Sequence, residues 1–154
     1  MKGFTYIELL VTLAIVAALA WLVAPVAQTH AKRAKETELR TALREIRSAI
    51  DQYKKAVDAG RVERTLEDTG YPRRLEELAD GVVDLRDPNR KKIYFLRRIP
   101  RDPFSPDAAA SPPATWGRRS YDSEPDEPKA GKDIYDVYSL SEAVGLNGVP
   151  YRRW

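Results

Sequence analysis

Apolar and polar positions divide the chain into three regimes. Residues 9–27 read LLVTLAIVAALAWLVAPVA, 19 residues without a charge. A helix of that length spans roughly 29 Å, close to the roughly 30 Å hydrocarbon core of a bilayer. The run predicts a transmembrane helix. A core helix is the competing reading, but a chain of 154 residues can hardly surround a helix that is apolar on every face. A cleavable secretory signal would use Met1-Lys2 as its charged end. Against it, no small-x-small site follows the run near residues 24–28, and the helical pattern continues past it.

In the second regime the spacing predicts an amphipathic helix. Leu39, Leu43, Ile46, Ile50, Tyr53 and Val57 recur at three- and four-residue steps, broadened by Ala42 and Ala49. This is one apolar face on an otherwise charged surface. Joined to the first run, it predicts one helix over residues 4–58, roughly 80 Å long, with Gly60 as its stop.

The third regime is a mixed head. Leu75, Leu78 and Ala79, with acids at Glu76, Glu77 and Asp80, predict a short helix ended by Gly81. A turn-rich connection follows at residues 99–103, then an exposed loop at 107–115. Residues 118–121 are expected to form a strand, and 123–132 another loop. Residues 133–140, DIYDVYSL, alternate as a half-buried strand, with Ile134, Val137, Tyr138 and Leu140 as its apolar positions. Helix first and strands later predict an α+β fold, with the long helix packed on a small antiparallel sheet.

Composition narrows the chemistry. The 26 basic and 23 acidic residues leave a net charge of +3, too small to mark a nucleic-acid binder. There is no cysteine, which excludes disulfides and thiolate chemistry, and one histidine, His30, which provides no set of imidazoles for zinc. Paired arginines at 73–74, 97–98, 118–119 and 152–153 stand near aromatic residues, but acids are interleaved and no nucleic-acid motif is present. No triad, phosphate loop or selected carboxylate pair points to catalysis.

Two residues are unusual for a plain anchor. Glu8 sits at the edge of the apolar run, where an ionisable group calls for a partner or for the headgroup region. Pro25 lies in its last turns, a position that membrane helices tolerate.

The string KGFTYIELLVTLAIVAAL resembles the prepilin leader and N-terminal helix of type IV pilins and type II secretion pseudopilins. Lys2-Gly3-Phe4, Thr5, Ile7-Glu8-Leu9-Leu10 and the apolar run carry the resemblance. Tyr6 departs from the usual leucine. The resemblance implies cleavage between Gly3 and Phe4 by prepilin peptidase and N-methylation of Phe4. Glu8 would neutralise the Phe4 ammonium of a neighbouring subunit during assembly, and Pro25 would loosen the helix within the filament. The pairing is physically reasonable: an α-amino group is largely charged at neutral pH, and two unit charges about 4 Å apart attract by roughly 4 kcal/mol at an effective dielectric near 20, before desolvation is subtracted.

The head is similar to that of the major (G-type) pseudopilins at Tyr71-Pro72, at residues 94–104 and at residues 135–139. The resemblance implies a pilin-like α+β fold and a structural, non-enzymatic subunit. The expected divisions are a leader (1–3), a transmembrane assembly helix (4–27), an amphipathic helix (28–59) and a periplasmic head (60–154). Expected partners are further copies in a filament, other pseudopilins, prepilin peptidase and an assembly platform of the bacterial inner membrane. The family's calcium loop has no clear counterpart: after Asp136 the only side-chain carboxylate is Glu142, whereas calcium takes six to eight oxygens. The residues themselves point to no cofactor, calcium being the one ion the resemblance leaves open, and Asp133 and Asp136 are read as solvated acids. Basic residues flanking the run, Lys2 against Lys32, Arg33 and Lys35, count toward the opposite orientation. A type IV pilin is the alternative within the class, which the lack of cysteine disfavours. A membrane-tethered periplasmic enzyme or binding domain is the alternative outside it.

Overall fold

The computed structural model describes residue 3 and residues 5–154, the side chains of residues 20–27 excepted. Helix α1 (Tyr6–Asp58) is followed by α2 (Glu76–Asp80), β1 (Val82–Val83), β2 (Lys92–Ile93), β3 (Trp116–Arg119) and β4 (Asp136–Ser139). Single 3-10 turns occupy Pro112–Thr115 and Tyr151–Arg153. The chain divides into two compact units, Met1–Lys35 and Glu36–Trp154, and α1 contributes residues to both.

In the second unit the apolar stripe of α1 is the centre of the core. Leu39, Leu43, Ile46 and Ile50 are buried, together with Ala42, Ala49, Tyr53, Ala56 and Val57. They pack against Leu75, Leu78, Trp116, Ile134, Val137 and Tyr151 from the head. The helix stops as expected. Gly60 takes φ of +67°, its N–H bonds to the Val57 carbonyl at 2.8 Å, and the Arg61 N–H reaches the Ala56 carbonyl at 2.9 Å. This is the double bond of a Schellman cap, which requires a left-handed residue and so favours glycine.

The expected short helix is α2, and Gly81 ends it. Both Phe95 and Leu96 donate their N–H groups to the Leu78 carbonyl, at 3.0 and 2.8 Å, which ties β2 to the end of α2.

The strands differ in detail from the expectation. Instead of one sheet there are two antiparallel pairs, β1 with β2 and β3 with β4. The β3–β4 register sets Trp116 opposite Ser139 and Gly117 opposite Tyr138. Strand β3 starts two residues earlier than expected because Trp116 is needed in the core, where its indole N–H donates to the Pro100 carbonyl at 2.8 Å. Along β4 the inward residues are Val137 and Ser139, while Leu140 is 46% exposed. The inward place goes to Ser139 because its hydroxyl donates to the buried Asp102 carboxylate at 2.6 Å. Asp102 Oδ1 also accepts the Phe104 N–H at 2.8 Å, so the predicted turn at 99–103 is anchored on β4.

Candidate functional site

Over residues 6–19 the first unit is an apolar helix with one acid near its start. Thr5 begins it: its hydroxyl accepts the Glu8 N–H at 3.4 Å and its carbonyl accepts the Leu9 N–H at 3.2 Å. Glu8 is exposed in the first turn, where a carboxylate complements the positive end of the helix dipole. Thr12 satisfies its hydroxyl on the Leu9 carbonyl at 3.0 Å. Tyr6, Ile7, Leu9, Leu10, Val11, Leu13, Ile15, Val16 and Leu19 are all exposed, from 45% to 78%. Such a contiguous apolar surface marks a contact with protein or lipid.

Of the residues singled out from sequence, Gly3 is exposed and a side chain there would meet nothing within 4 Å. Phe4 and the side chain of Pro25 lie outside the described residues. Among the described residues, no helix is long and apolar enough to cross a membrane; residues 20–27 of the apolar run lie outside the described side chains.

The second unit closes on itself through three carboxylates that sequence reading undervalued. The first is Glu36, 6% exposed. Its Oε1 accepts the Leu146 N–H at 2.7 Å and the Tyr151 hydroxyl at 2.9 Å. Tyr151 is fully buried and stacks on Phe104 with ring centroids 4.1 Å apart. Burial, reinforced by the hydrogen bond to Glu36, pushes its hydroxyl up to about 12.

The second is Asp133, expected to be solvated but 3% exposed. It accepts the Ser120 hydroxyl at 2.6 Å, the Tyr121 N–H at 3.0 Å and the Thr69 hydroxyl. Burial pushes this carboxyl up, but the three hydrogen bonds together hold it below the usual carboxylate range. The third is Asp136, also expected to be solvated. Arg47 Nε meets its Oδ1 at 2.8 Å, and Arg119 lies 3.5 Å from its Oδ2. The Arg47 Nη2 continues to the main-chain oxygens of Val137 at 3.1 Å and Trp154 at 2.8 Å. One guanidinium thus ties α1, β4 and the final residues together.

These contacts occupy the segment where the resemblance implies calcium. Its residues do not fit that ion. Asn147 Oδ1 accepts the Val149 N–H at 3.1 Å, and Glu36 is committed to Leu146 and Tyr151. Among the described residues there is no group of three or more histidine, aspartate or glutamate side chains able to hold a metal. Buried side-chain nitrogen and oxygen atoms among the described residues all have hydrogen-bond partners.

Glu36 had a readable signal. It falls three residues before Leu39 on the apolar stripe, so an acid there faces the core. Compared with known proteins, the chain matches no family model, no curated protein and no solved structure.

Proposed function

We propose that this chain is a structural subunit of a type II secretion pseudopilus. Its N-terminal helix packs with copies of itself in a helical filament rooted in the bacterial inner membrane, and its head is displayed in the periplasm. The observation that carries this reading is the exposed apolar surface of α1 from Tyr6 to Leu19, broken by one charged residue, Glu8. A second unit with its own core and satisfied polar groups supports it, since that unit has no need of the apolar helix to fold. Glu8 pairs with the freed Phe4 ammonium of a neighbour and so sets the register between subunits.

The test is co-expression with a prepilin peptidase, followed by intact-mass measurement of wild type and Gly3→Ala. The reading expects loss of residues 1–3 and gain of one methyl group, both abolished by the substitution. An uncut chain, with the peptidase active on a control substrate, overturns it and leaves a tethered periplasmic domain. Cleavage without association of the processed chain would refute the filament while keeping the prepilin class.

A further inference from the structure

Basic residues crowd the chain after its apolar run. Residues 28–47 hold Lys32, Arg33, Lys35, Arg40, Arg44 and Arg47 against Glu36, Glu38 and Glu45. Glu36 is buried and Arg47 is paired with Asp136, so positive charge predominates at the exposed positions. Such an excess beside a membrane helix attracts anionic lipid.

The second unit places two of these residues beside an apolar hairpin. There α1 and the final residues enclose a recess of about 650 Å³, lined by Arg40, Arg44, Val149 and Trp154 and by no acid. Arg40 lies 4.3 Å from the centroid of the Trp154 ring, and the indole N–H donates to the Val149 carbonyl at 3.2 Å. Arg44 is exposed and bonds within its own helix, to the Arg40 carbonyl at 3.3 Å and the Thr41 hydroxyl at 3.5 Å. Neither arginine makes an ion pair among the described residues. Arg153 also lines the recess, but it shares a neighbouring recess with Asp126 and Glu127, so its charge is offset within the chain.

The hairpin is closed by the Gly145 N–H on the Val149 carbonyl at 2.9 Å and the Gly148 N–H on the Gly145 carbonyl at 3.0 Å. It is fastened to α1 where the Leu146 N–H meets Glu36 at 2.7 Å. Val144, Leu146 and Val149 are left 45%, 44% and 38% exposed. Three aliphatic side chains thus stand beside a tryptophan and two arginines. Aliphatic tips for the acyl boundary, an indole for the headgroup level and guanidinium groups for phosphate make up an interfacial anchor.

Chain length selects the lipid among possible occupants. Nine residues, 28–36, join the apolar run to Glu36, and nine residues reach at most roughly 30 Å. A chain whose apolar run is embedded in a bilayer therefore keeps the hairpin within reach of the headgroups. That raises their effective concentration above that of any soluble partner.

We infer that the hairpin at residues 144–149 and the Arg40–Arg44 pair dock on anionic phospholipid headgroups of the bilayer that holds the chain's own apolar helix. The inference rests on the membrane-anchored reading. It adds a resting place for the head of a subunit not yet assembled.

The chain has no cysteine, so Asn147→Cys carries a single fluorophore at the hairpin tip. The full-length chain would be reconstituted in phosphatidylcholine vesicles, with or without one-third phosphatidylglycerol, containing a lipid with a nitroxide quencher on its headgroup. Quenching at least twofold stronger in the anionic vesicles is expected, with no such gain from Lys91→Cys between β1 and β2. Arg40→Gln with Arg44→Gln should remove the gain, and Arg40→Lys with Arg44→Lys should retain most of it; circular dichroism melting checks that both fold. Four results overturn the inference: no gain in anionic vesicles, an equal gain at Lys91→Cys, a gain that survives both glutamines, or a gain lost when copies per vesicle are diluted. The last would mean that a neighbouring chain covers the hairpin. A gain abolished by inorganic phosphate at constant ionic strength would mark a free-anion site and overturn it too. If the contact fails while the chain stays in the vesicles and is cut after Gly3, the anchored reading survives. A chain that does not enter the vesicles defeats both.

Discussion

Replacing Glu36 by alanine removes two hydrogen-bond acceptors at once. The Leu146 N–H lies in a residue 44% exposed, so water can replace the carboxylate there at little cost. The Tyr151 hydroxyl belongs to a fully buried residue and has no such recourse. Hydrogen bonds to charged groups contribute about 1.5–3 kcal/mol, and a buried donor left unpaired costs about 1–3 kcal/mol. Together these place Glu36→Ala near 3 kcal/mol. Tyr151→Phe keeps the ring on Phe104 and loses only the donor, which gives about 1–2 kcal/mol. Since both substitutions break the same bond, the double variant should cost less than their sum by about 1–2 kcal/mol. Urea unfolding of the full chain in mild detergent, followed through the buried Trp116, measures all three. A cost below about 0.5 kcal/mol for Glu36→Ala, or additivity within about 0.5 kcal/mol, would refute the assignment of this pair as the fastening between helix and C-terminal segment.

Saturating calcium should leave the same unfolding midpoint unchanged, because the residues of the C-terminal segment do not fit that ion; a ligand at a hundred times its dissociation constant would stabilise by about 2.7 kcal/mol, and a shift of that size would disprove the misfit. Gly117→Ala should destabilise by about 1–3 kcal/mol through overpacking, since a Cβ there would collide with the Tyr138 ring; circular dichroism melting checks it. Asp133 has a depressed pKa, so its contribution is complete above the unfolded value of about 3.9 and is lost as pH falls through the folded value; Asp133→Asn should flatten the acid limb of stability against pH. Tyr151 has a raised pKa, so its contribution is complete below the unfolded value of about 10 and is lost as pH rises toward about 12; Tyr151→Phe should flatten the alkaline limb.

What the sequence made legible follows from periodicity. The outer half of α1 packs a single face, so its stripe from Leu39 to Val57 appears at helical spacing and every member is buried. Gly60 was readable because its conformation is local to the chain. The head was less legible. Its strands are two to four residues long, too short for alternation to be averaged. Their inward positions also include polar residues: Ser139 faces in because Asp102 waits there, and Asp133 because Ser120, Thr69 and Tyr121 surround it. Those partners are up to 64 residues away in sequence, and no local pattern encodes them. Glu36 and Arg47 share this origin, each reaching roughly a hundred residues along the chain.

The balance between Glu8 and its apolar surroundings bears on why one acid persists there. Burying what remains exposed on an aliphatic or aromatic side chain stabilises by about 1–2 kcal/mol. Nine such residues, from Tyr6 to Leu19, therefore favour cover by roughly 10–20 kcal/mol. A carboxylate at the centre of a membrane helix costs about 3 kcal/mol, and less near its end. The apolar term wins by a wide margin, so Glu8 does not prevent burial of the helix. It does discriminate among ways of burying it, because only an arrangement that brings a cation to Glu8 recovers the desolvation cost. Glu8→Gln should therefore leave membrane association intact and lower filament yield. Glu8→Leu should do the same, although it makes the surface more apolar. Fractionation followed by quantitative filament recovery separates the two effects. Loss of membrane association in either variant, or full filament yield in both, would show that Glu8 does not set the register.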